Sequence, residues 1–333
     1  RHRLISDDLL VHATANKISG NDRPMTIGIT GSSGFIGSSL IPFITTGGHR
    51  VIRFIRHPIS DGNNFKNVKS IQWDPSSSMS LNDENIYAVV NLSGENIFGR
   101  WTKKKKKWIF DSRVNTTQSL CKMLSSLDKP PKVLVSASAT GYYGDRGNEI
   151  LTEESPPSSS SSNDFLSYVC RNWEEATQIA KESGIRIVNL RIGIVLSSSG
   201  GMLSKILPIF KVGFGIRIGS GNQYMSWIGL DDLLGLILYA IANKSFSGPV
   251  NAVSPNPITN ADFTMALGKV LSRPTKFSIP KSMIKLPLGE ELANAAILSS
   301  TRVIPKRLIE MGYKFRFPYL ELVLRHTLGK SIS

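Results

Sequence analysis

From Met25 onward, short apolar runs rich in β-branched residues alternate with longer stretches in which apolar residues recur every three or four positions. The short runs predict strands at 26–30, 50–55, 88–92, 132–136 and 185–190. The longer ones predict helices at 37–46, 105–127 and 165–182. Strands separated by helices of this length are βαβ units, so the pattern predicts a parallel sheet covered on both faces. Residues 1–24 are polar and lack sustained periodicity, which reads as a linker or arm. The serines at 158–162, after Ser155-Pro156-Pro157, are of low complexity and read as a mobile surface loop. Regular alternation ends at "SSSGG" (197–201), and punctuated segments run from there to about 328. That division gives a sheet domain at 25–196 and a smaller, mainly substrate-binding α/β lobe at 197–328 that can interleave with the sheet.

Between the first strand and the first helix stand Gly31, Gly34 and Gly37, spaced G-x-x-G-x-x-G. The placement has a chemical use. The first glycine permits a tight turn, the second lets backbone approach a pyrophosphate, and the third lets the helix pack close to the strand. The helix's N-terminal N–H groups and positive dipole end then face the anion. The whole turn, Gly31, Ser32, Ser33, Gly34, Phe35, Ile36 and Gly37, is therefore expected to bind a dinucleotide. The second strand bears on which one. Folds selective for NAD place Asp or Glu near its end to accept the ribose hydroxyls. This chain has Arg56 there, with Arg53 and His57 nearby, and a guanidinium grips the extra 2′-phosphate of NADP with two hydrogen bonds. The expected fold is an α/β Rossmann-like doubly wound sheet, and the expected cofactor is NADP.

Composition changes this picture little. At 333 residues with 41% hydrophobic and 20% charged residues, the chain can bury a sizeable core and is far from a disordered composition. No apolar stretch approaches the roughly 20 residues that span a bilayer, and no apolar signal core follows the charged opening "RHRLISDD". Cys121 and Cys170 make no disulfide framework or metal spacing, so a reduced, cytoplasmic protein without membrane or metal is expected. The net charge of +15 raises nucleic acid as a partner. Much of that excess is the run Lys103 to Lys107 between Trp101 and Trp108. Without a nucleic-acid module it reads as a solvated helix face with both tryptophans turned inward.

More of the chain carries a resemblance. "TGSSGFIG" (30–37) is similar to the start of an extended short-chain dehydrogenase/reductase. "VVNLSGENI" (89–97), "SRVNTTQSL" (112–120), "SATGYYGD" (138–145), "RIGIVLSSSGGML" (191–203), "GSGNQYMSWIGLDDL" (219–233) and "GPVNAVSPNPITNADF" (248–263) resemble its atypical epimerase-like branch. The resemblance implies an NADP-binding oxidoreductase or epimerase acting on a small polar substrate, such as a sugar nucleotide or carbonyl compound. It also implies roles: Leu92 and Ser93 beside the cofactor's diphosphate and ribose, Arg113 reaching the cofactor from a helix, and Val195 near the nicotinamide amide. Residues 1–24 resemble the linker that joins some relatives to a preceding lipid-binding-type domain.

Members of that family usually pair a Ser or Thr with Tyr-x-x-x-Lys, the lysine lowering the tyrosine's pKa. No clean copy exists here. Tyr168 is followed four positions on by Asn172, and Arg171 falls one position early. Ser138 and Tyr143, in "SATGYYGD", are then the expected catalytic hydroxyl and proton carrier, with Thr140 and the pair Tyr168 and Arg171 as further candidates. Gly229 stands where relatives have histidine, and Asp231-Asp232 is expected to cap the helix that follows. The missing pair keeps a second reading open: a non-catalytic, NADP-sensing regulator or scaffold, for example in cell division.

Overall fold

The computed structural model describes residues 2–20, 23–57, 67–75, 84–158 and 164–331. Its centre is a sheet of seven strands: β1 (Thr26–Thr30), β2 (Arg50–Ile55), β3 (Val68–Gln72), β4 (Ala88–Asn91), β5 (Val133–Ala139), β6 (Arg186–Ile192) and β7 (Gly248–Ala252). They lie in the order β7-β6-β5-β4-β1-β2-β3, and every neighbouring pair is parallel. Leaving from β1 in both directions, this is the doubly wound arrangement that the alternation predicts, with its crevice at the carboxyl ends of β1 and β4. The central strands are buried on both faces, which is why their apolar residues are not confined to alternate positions. Gly28 shows how tight the layers are: a Cβ there would come within 2.7 Å of the Phe54 ring.

The helices are α1 (His2–Ser19), α2 (Phe35–Thr46), α3 (Lys103–Asp111), α4 (Val114–Ser125), α5 (Phe165–Glu175), α6 (Gln178–Glu182), α7 (Gly201–Lys211) and α8 (Leu230–Ala242), with further short helices beyond. Two expected long helices are each broken in the middle. Ser112 and Thr177 sit at the breaks, and their hydroxyls bond back to the carbonyls of Ile109 and Glu174, offering the backbone an alternative to the helical ladder. The loop reading of 158–162 falls largely outside the described residues. β7 returns to the sheet and α8 lies in its core, so the chain beyond 197 contributes to both the sheet and the smaller cluster around Trp227, Phe263 and Leu267.

Three expectations need correction. Residues 2–19 form a helix rather than an arm; α1 docks on α8 and α2 through His12 and Ala15. Its buried face includes histidine and small residues, which leave no apolar stripe to read. Trp101 is buried as expected, but Trp108 is 50% exposed with the Lys104 ammonium 4.8 Å from its ring centre. Ile109 is the buried residue of α3. Asp232 does not cap its own helix: its buried carboxylate accepts the backbone N–H groups of Arg316 and Phe317 at 2.6 and 3.0 Å. Asp231 pairs with His326.

The α1 contact carries a pH dependence. His12 Nε2 faces the Phe43 carbonyl at 2.9 Å, and His49 Nδ1 accepts the Met25 N–H. The two rings lie 5.5 Å apart. Burial and then the neighbouring His12 pull His49 down to about 4 from its ordinary 6.5. The unfolded chain therefore takes up the proton first, and stability falls as pH drops from 6.5 towards 4, by on the order of 3 kcal/mol for this group. Asp232, which burial pushes up to about 6, titrates in the opposite sense over the same range, so the variant comparison isolates the imidazole. His49→Asn keeps a side-chain acceptor but cannot charge. Urea unfolding at pH 7 and pH 4.5 is expected to show a markedly smaller acid loss in the variant than in the wild type; equal losses would clear His49.

Candidate functional site

The glycine turn follows β1 directly. Gly31 adopts φ 63°, and a Cβ on it would lie 2.4 Å from the Leu92 carbonyl oxygen. A Cβ on Gly37 would lie 2.4 Å from the Gly31 oxygen, so α2 starts hard against the turn. These two positions admit glycine only. Gly34 differs: it is exposed, its N–H bonds the Gly31 carbonyl, and a Cβ would meet only that oxygen, at 3.2 Å. Its open side is the approach to the turn. Ser32 is buried and Ser33 exposed. Phe35 and Ile36 open α2, and the Phe35 ring lies against Gly200 and Gly201, where a Cβ at 200 would reach to 2.3 Å. That contact joins α2 to the turn after Val195, itself buried in a short strand (Ile194–Ser197) paired with Trp227–Gly229.

A polar seam fixes the strand ends beneath the turn. The Thr30 hydroxyl donates to Asn91 Oδ1 at 2.7 Å, and Asn91 Nδ2 donates to Thr117 at 2.8 Å and Ser136 at 3.2 Å. Trp173 Nε1 donates to Thr117 as well. The carboxyl ends of β1, β4 and β5 are thereby tied to α4 and α5. Sequence reading missed Thr30, Asn91 and Thr117. For Thr30 and Asn91 the signal was present as a polar residue closing the apolar strands β1 and β4.

Above this seam lies a cleft of about 480 Å³. It runs from Gly31–Gly34 past Leu92, Ser93 and Gly94 to Phe54, Trp73, Arg56 and His57. The structure thus brings Gly31, Ser32, Ser33, Gly34, Leu92, Ser93 and Arg56 to one cleft, with Arg56 and His57 exposed at its far end. Phe35, Ile36, Gly37 and Val195 stand behind it as packing. Arg113 lies behind Gly94, with its guanidinium 3.1 Å from where a Cβ on Gly94 would sit.

The expected catalytic residues are placed differently. Tyr143 is fully buried; its hydroxyl donates to Asn251 Oδ1 at 2.7 Å and accepts from Arg191 at 2.9 Å. Burial pushes the phenol up to about 12 despite the pull of Arg191 and Asn251. A proton carrier must reach its substrate, and this hydroxyl is enclosed by protein. Ser138 is also buried and donates to Glu174 at 2.8 Å. Glu174 and Arg191 form a buried bidentate pair at 2.8 and 2.9 Å, and the Arg191 guanidinium stacks 3.5 Å from the Tyr142 ring centre. Thr140 is partly buried, in the short turn that follows β5. Tyr168 is half-exposed and stacked on Phe110, and Asn172 bonds the Tyr168 carbonyl. The α5 residues that face the turn after β5 are instead Leu166, Ser167 and Cys170, with the Ser167 hydroxyl donating to the Tyr142 carbonyl at 2.8 Å. None is an acid–base group at neutral pH: burial and then Glu174 push the thiol up to about 12.

The sequence and fold have known counterparts. The family described as NAD dependent epimerase/dehydratase matches residues 27–253, and a domain of unknown function matches residues 279–327. An epimerase family protein of Mycobacterium bovis is 39% identical over 312 residues, covering 92% of this chain and 96% of the relative. A chloroplastic epimerase family protein of Arabidopsis thaliana is 35% identical, covering 92% and 88%. A human epimerase family protein solved with NADPH has a TM-score of 0.83 at 31% identity, with 92% of this chain and 100% of that one covered. A nucleoside-diphosphate sugar epimerase from Corynebacterium glutamicum has a TM-score of 0.77 at 35% identity; the match covers 97% of this chain but 62% of that longer one. Among the described residues no helix is long and apolar enough to cross a membrane.

Proposed function

The chain belongs to the NAD dependent epimerase/dehydratase family, and from that premise we propose that it binds NADP(H) in the described cleft as an oxidoreductase- or epimerase-like protein. The observation that carries the choice of NADP is the end of β2, where Arg56 and His57 face the cleft that begins at the glycine turn. The residues fit the cofactor: Gly34 leaves its approach open, the Gly31–Leu92 contact fixes the turn, and a guanidinium stands where a 2′-phosphate would lie. When bound, the dinucleotide supplies hydride transfer at its nicotinamide. The protein's part is to hold the diphosphate on the turn and to seat the ribose against Leu92 and Ser93. A small polar substrate, a sugar nucleotide or a carbonyl compound, is supported by the Corynebacterium protein's description as a nucleoside-diphosphate sugar epimerase.

Arg56 gives the direct test. Losing its charge-assisted contact costs about 1.5–3 kcal/mol, roughly tenfold to a hundredfold in affinity. Arg56→Ala is expected to weaken NADPH by that factor and to leave NADH nearly unchanged in calorimetric titration. Equal losses for the two nucleotides would show that Arg56 does not read the 2′-phosphate.

A second reading rests on the buried Tyr143 and on Leu166 and Cys170 facing the turn after β5. With these groups in the places of a proton relay, the chain would sense the nucleotide without turning substrate over. Prolonged incubation with NADPH and a carbonyl panel, and with NADP+ and sugar nucleotides followed for product epimers, separates the two. Nicotinamide oxidation or formation of an epimer supports the enzyme, and binding without either supports the sensor.

A further inference from the structure

We propose that one end of the C-terminal lobe, built from residues 211–218 and 273–288, docks peripherally on an anionic lipid surface. Its exposed apolar side chains enter the acyl boundary, and the cations among them meet the headgroup phosphates. None of these residues lines the cleft between the glycine turn and Arg56, so the docking stands or falls apart from nucleotide binding.

Direct contacts hold the two segments together. Arg273 Nε donates to the Lys211 carbonyl at 2.8 Å, where α7 ends. Ile216–Ile218 pairs in parallel with Phe277–Ile279. The Phe214 and Phe277 rings lie 5.8 Å apart, and both are more than half exposed. Val212, two residues before Phe214, is 71% exposed. Past Pro280 the chain enters the helix Lys281–Leu288, and the Lys281 side chain lies 3.1 Å from where a Cβ on Gly219 would sit. Met283, Ile284, Leu286 and Leu288 make up half of that helix, yet none of its residues is buried, and Leu286 is 89% exposed. A short helix draws its stability from packing an apolar face, and here most of that face is left to solvent.

The charge around these groups has one sign. The two segments carry six Lys or Arg and no Asp or Glu. Lys285 is bonded to Glu290 at 2.9 Å. Among the described residues the other five, Lys211, Arg217, Arg273, Lys276 and Lys281, have no carboxylate within ion-pair distance. Gathered apolar groups with a polar rim mark a contact surface, and the sign of the rim says with what. A second copy would set cations against cations, which like-charge repulsion opposes. A bilayer with anionic lipid meets both features at once. Its negative surface potential attracts each Lys and Arg, and its acyl boundary accepts aromatic and aliphatic side chains just below the headgroups. Long cationic side chains keep their heads at the phosphate level while the rings go deeper. No span is involved, so the association is reversible and weakens as salt screens it.

The test is co-sedimentation of the full chain with vesicles of phosphatidylcholine alone and of phosphatidylcholine and phosphatidylserine in equal parts. Binding is expected to the phosphatidylserine vesicles, to be lost at high salt, and to be far weaker to phosphatidylcholine alone. Lys211→Gln with Lys276→Gln should weaken it by about fivefold for each charge removed. Phe214→Ser with Phe277→Ser keeps every charge and should weaken it by about tenfold or more, the loss of two buried rings. All four positions are exposed, and urea midpoints verify that the variants stay folded. Refusal of both vesicles, equal binding to both, or full retention by the serine variant overturns the proposal. If the chain refuses phosphatidylserine vesicles but forms dimers that the serine variant loses, the face belongs to a second copy. If it refuses them but binds polyglutamate, the partner is an acidic protein. Either result overturns the proposal as well.

Discussion

Valine at position 34 is expected to abolish nucleotide binding and to leave the protein folded. The turn is built so that its three glycines fail in different ways. At Gly31 and Gly37 an added methyl would run into backbone at 2.4 Å, and backbone cannot move aside. Substitution there costs stability before it costs function. At Gly34 the nearest obstacle is the Gly31 carbonyl oxygen at 3.2 Å, and φ is −75°, which any residue adopts. The fold therefore yields by a few tenths of an ångström, whereas the two γ-methyl groups fill the space in which a diphosphate must approach the turn. A loss of about a hundredfold or more, roughly 3 kcal/mol, follows from removing the central phosphate contacts. Calorimetry measures the loss, and the urea midpoint, expected to shift little, verifies folding. Retained affinity would place the nucleotide elsewhere.

Breaking the Arg191–Glu174 pair is expected to produce the largest loss of stability. Both side chains are largely buried, at 4% and 13% side-chain exposure. Burial works against the arginine's charge, but Glu174 and Tyr143 outweigh it and hold its pKa above the usual value. Arg191→Met leaves the Glu174 carboxylate, among the described residues, with only the Ser138 hydroxyl and removes a donor from Tyr143. Deleting one partner of a buried pair costs about 3–5 kcal/mol, chiefly from the charge left behind, while replacing both with uncharged groups costs far less. The double variant Arg191→Met with Glu174→Gln should accordingly be more stable than Arg191→Met alone. Urea unfolding of the three proteins measures it. A double variant no more stable than the single one would show that the stranded carboxylate is not the cause.

Much of this fold was legible because local pattern and global topology agree. β1 and β2 fall on the expected residues, 26–30 and 50–55, because buried β-branched and aromatic residues dominate both, although Arg53 interrupts β2. The glycine turn was legible because its spacing answers to steric contacts that only glycine meets. What escaped has physical reasons. β3 lies on the sheet edge, half-exposed and mixed in composition, and gives no clear period. α1 is buried on a face made partly of His12, Ala15 and Ser19. Tyr143 shows the limit at the candidate site. Its place beside a strand end was readable, but whether its hydroxyl turned towards a cleft or towards Asn251 and Arg191 depended on residues 48 and 108 positions away. In α5 the tyrosine is visible in the sequence, yet the helix turns Leu166 and Cys170 to the site and Tyr168 outward. That phase is set by packing rather than by spacing.

The central claim is that the cleft between the glycine turn and Arg56 holds NADP(H). It is tested most directly by titrating the wild-type chain with NADPH and with NADH in the same buffer and following the heat of binding. NADPH is predicted to saturate one site per chain and to bind at least about tenfold more tightly than NADH, the worth of one charge-assisted contact to the 2′-phosphate. The absence of saturable NADPH binding, or equal affinity for the two nucleotides, would contradict it.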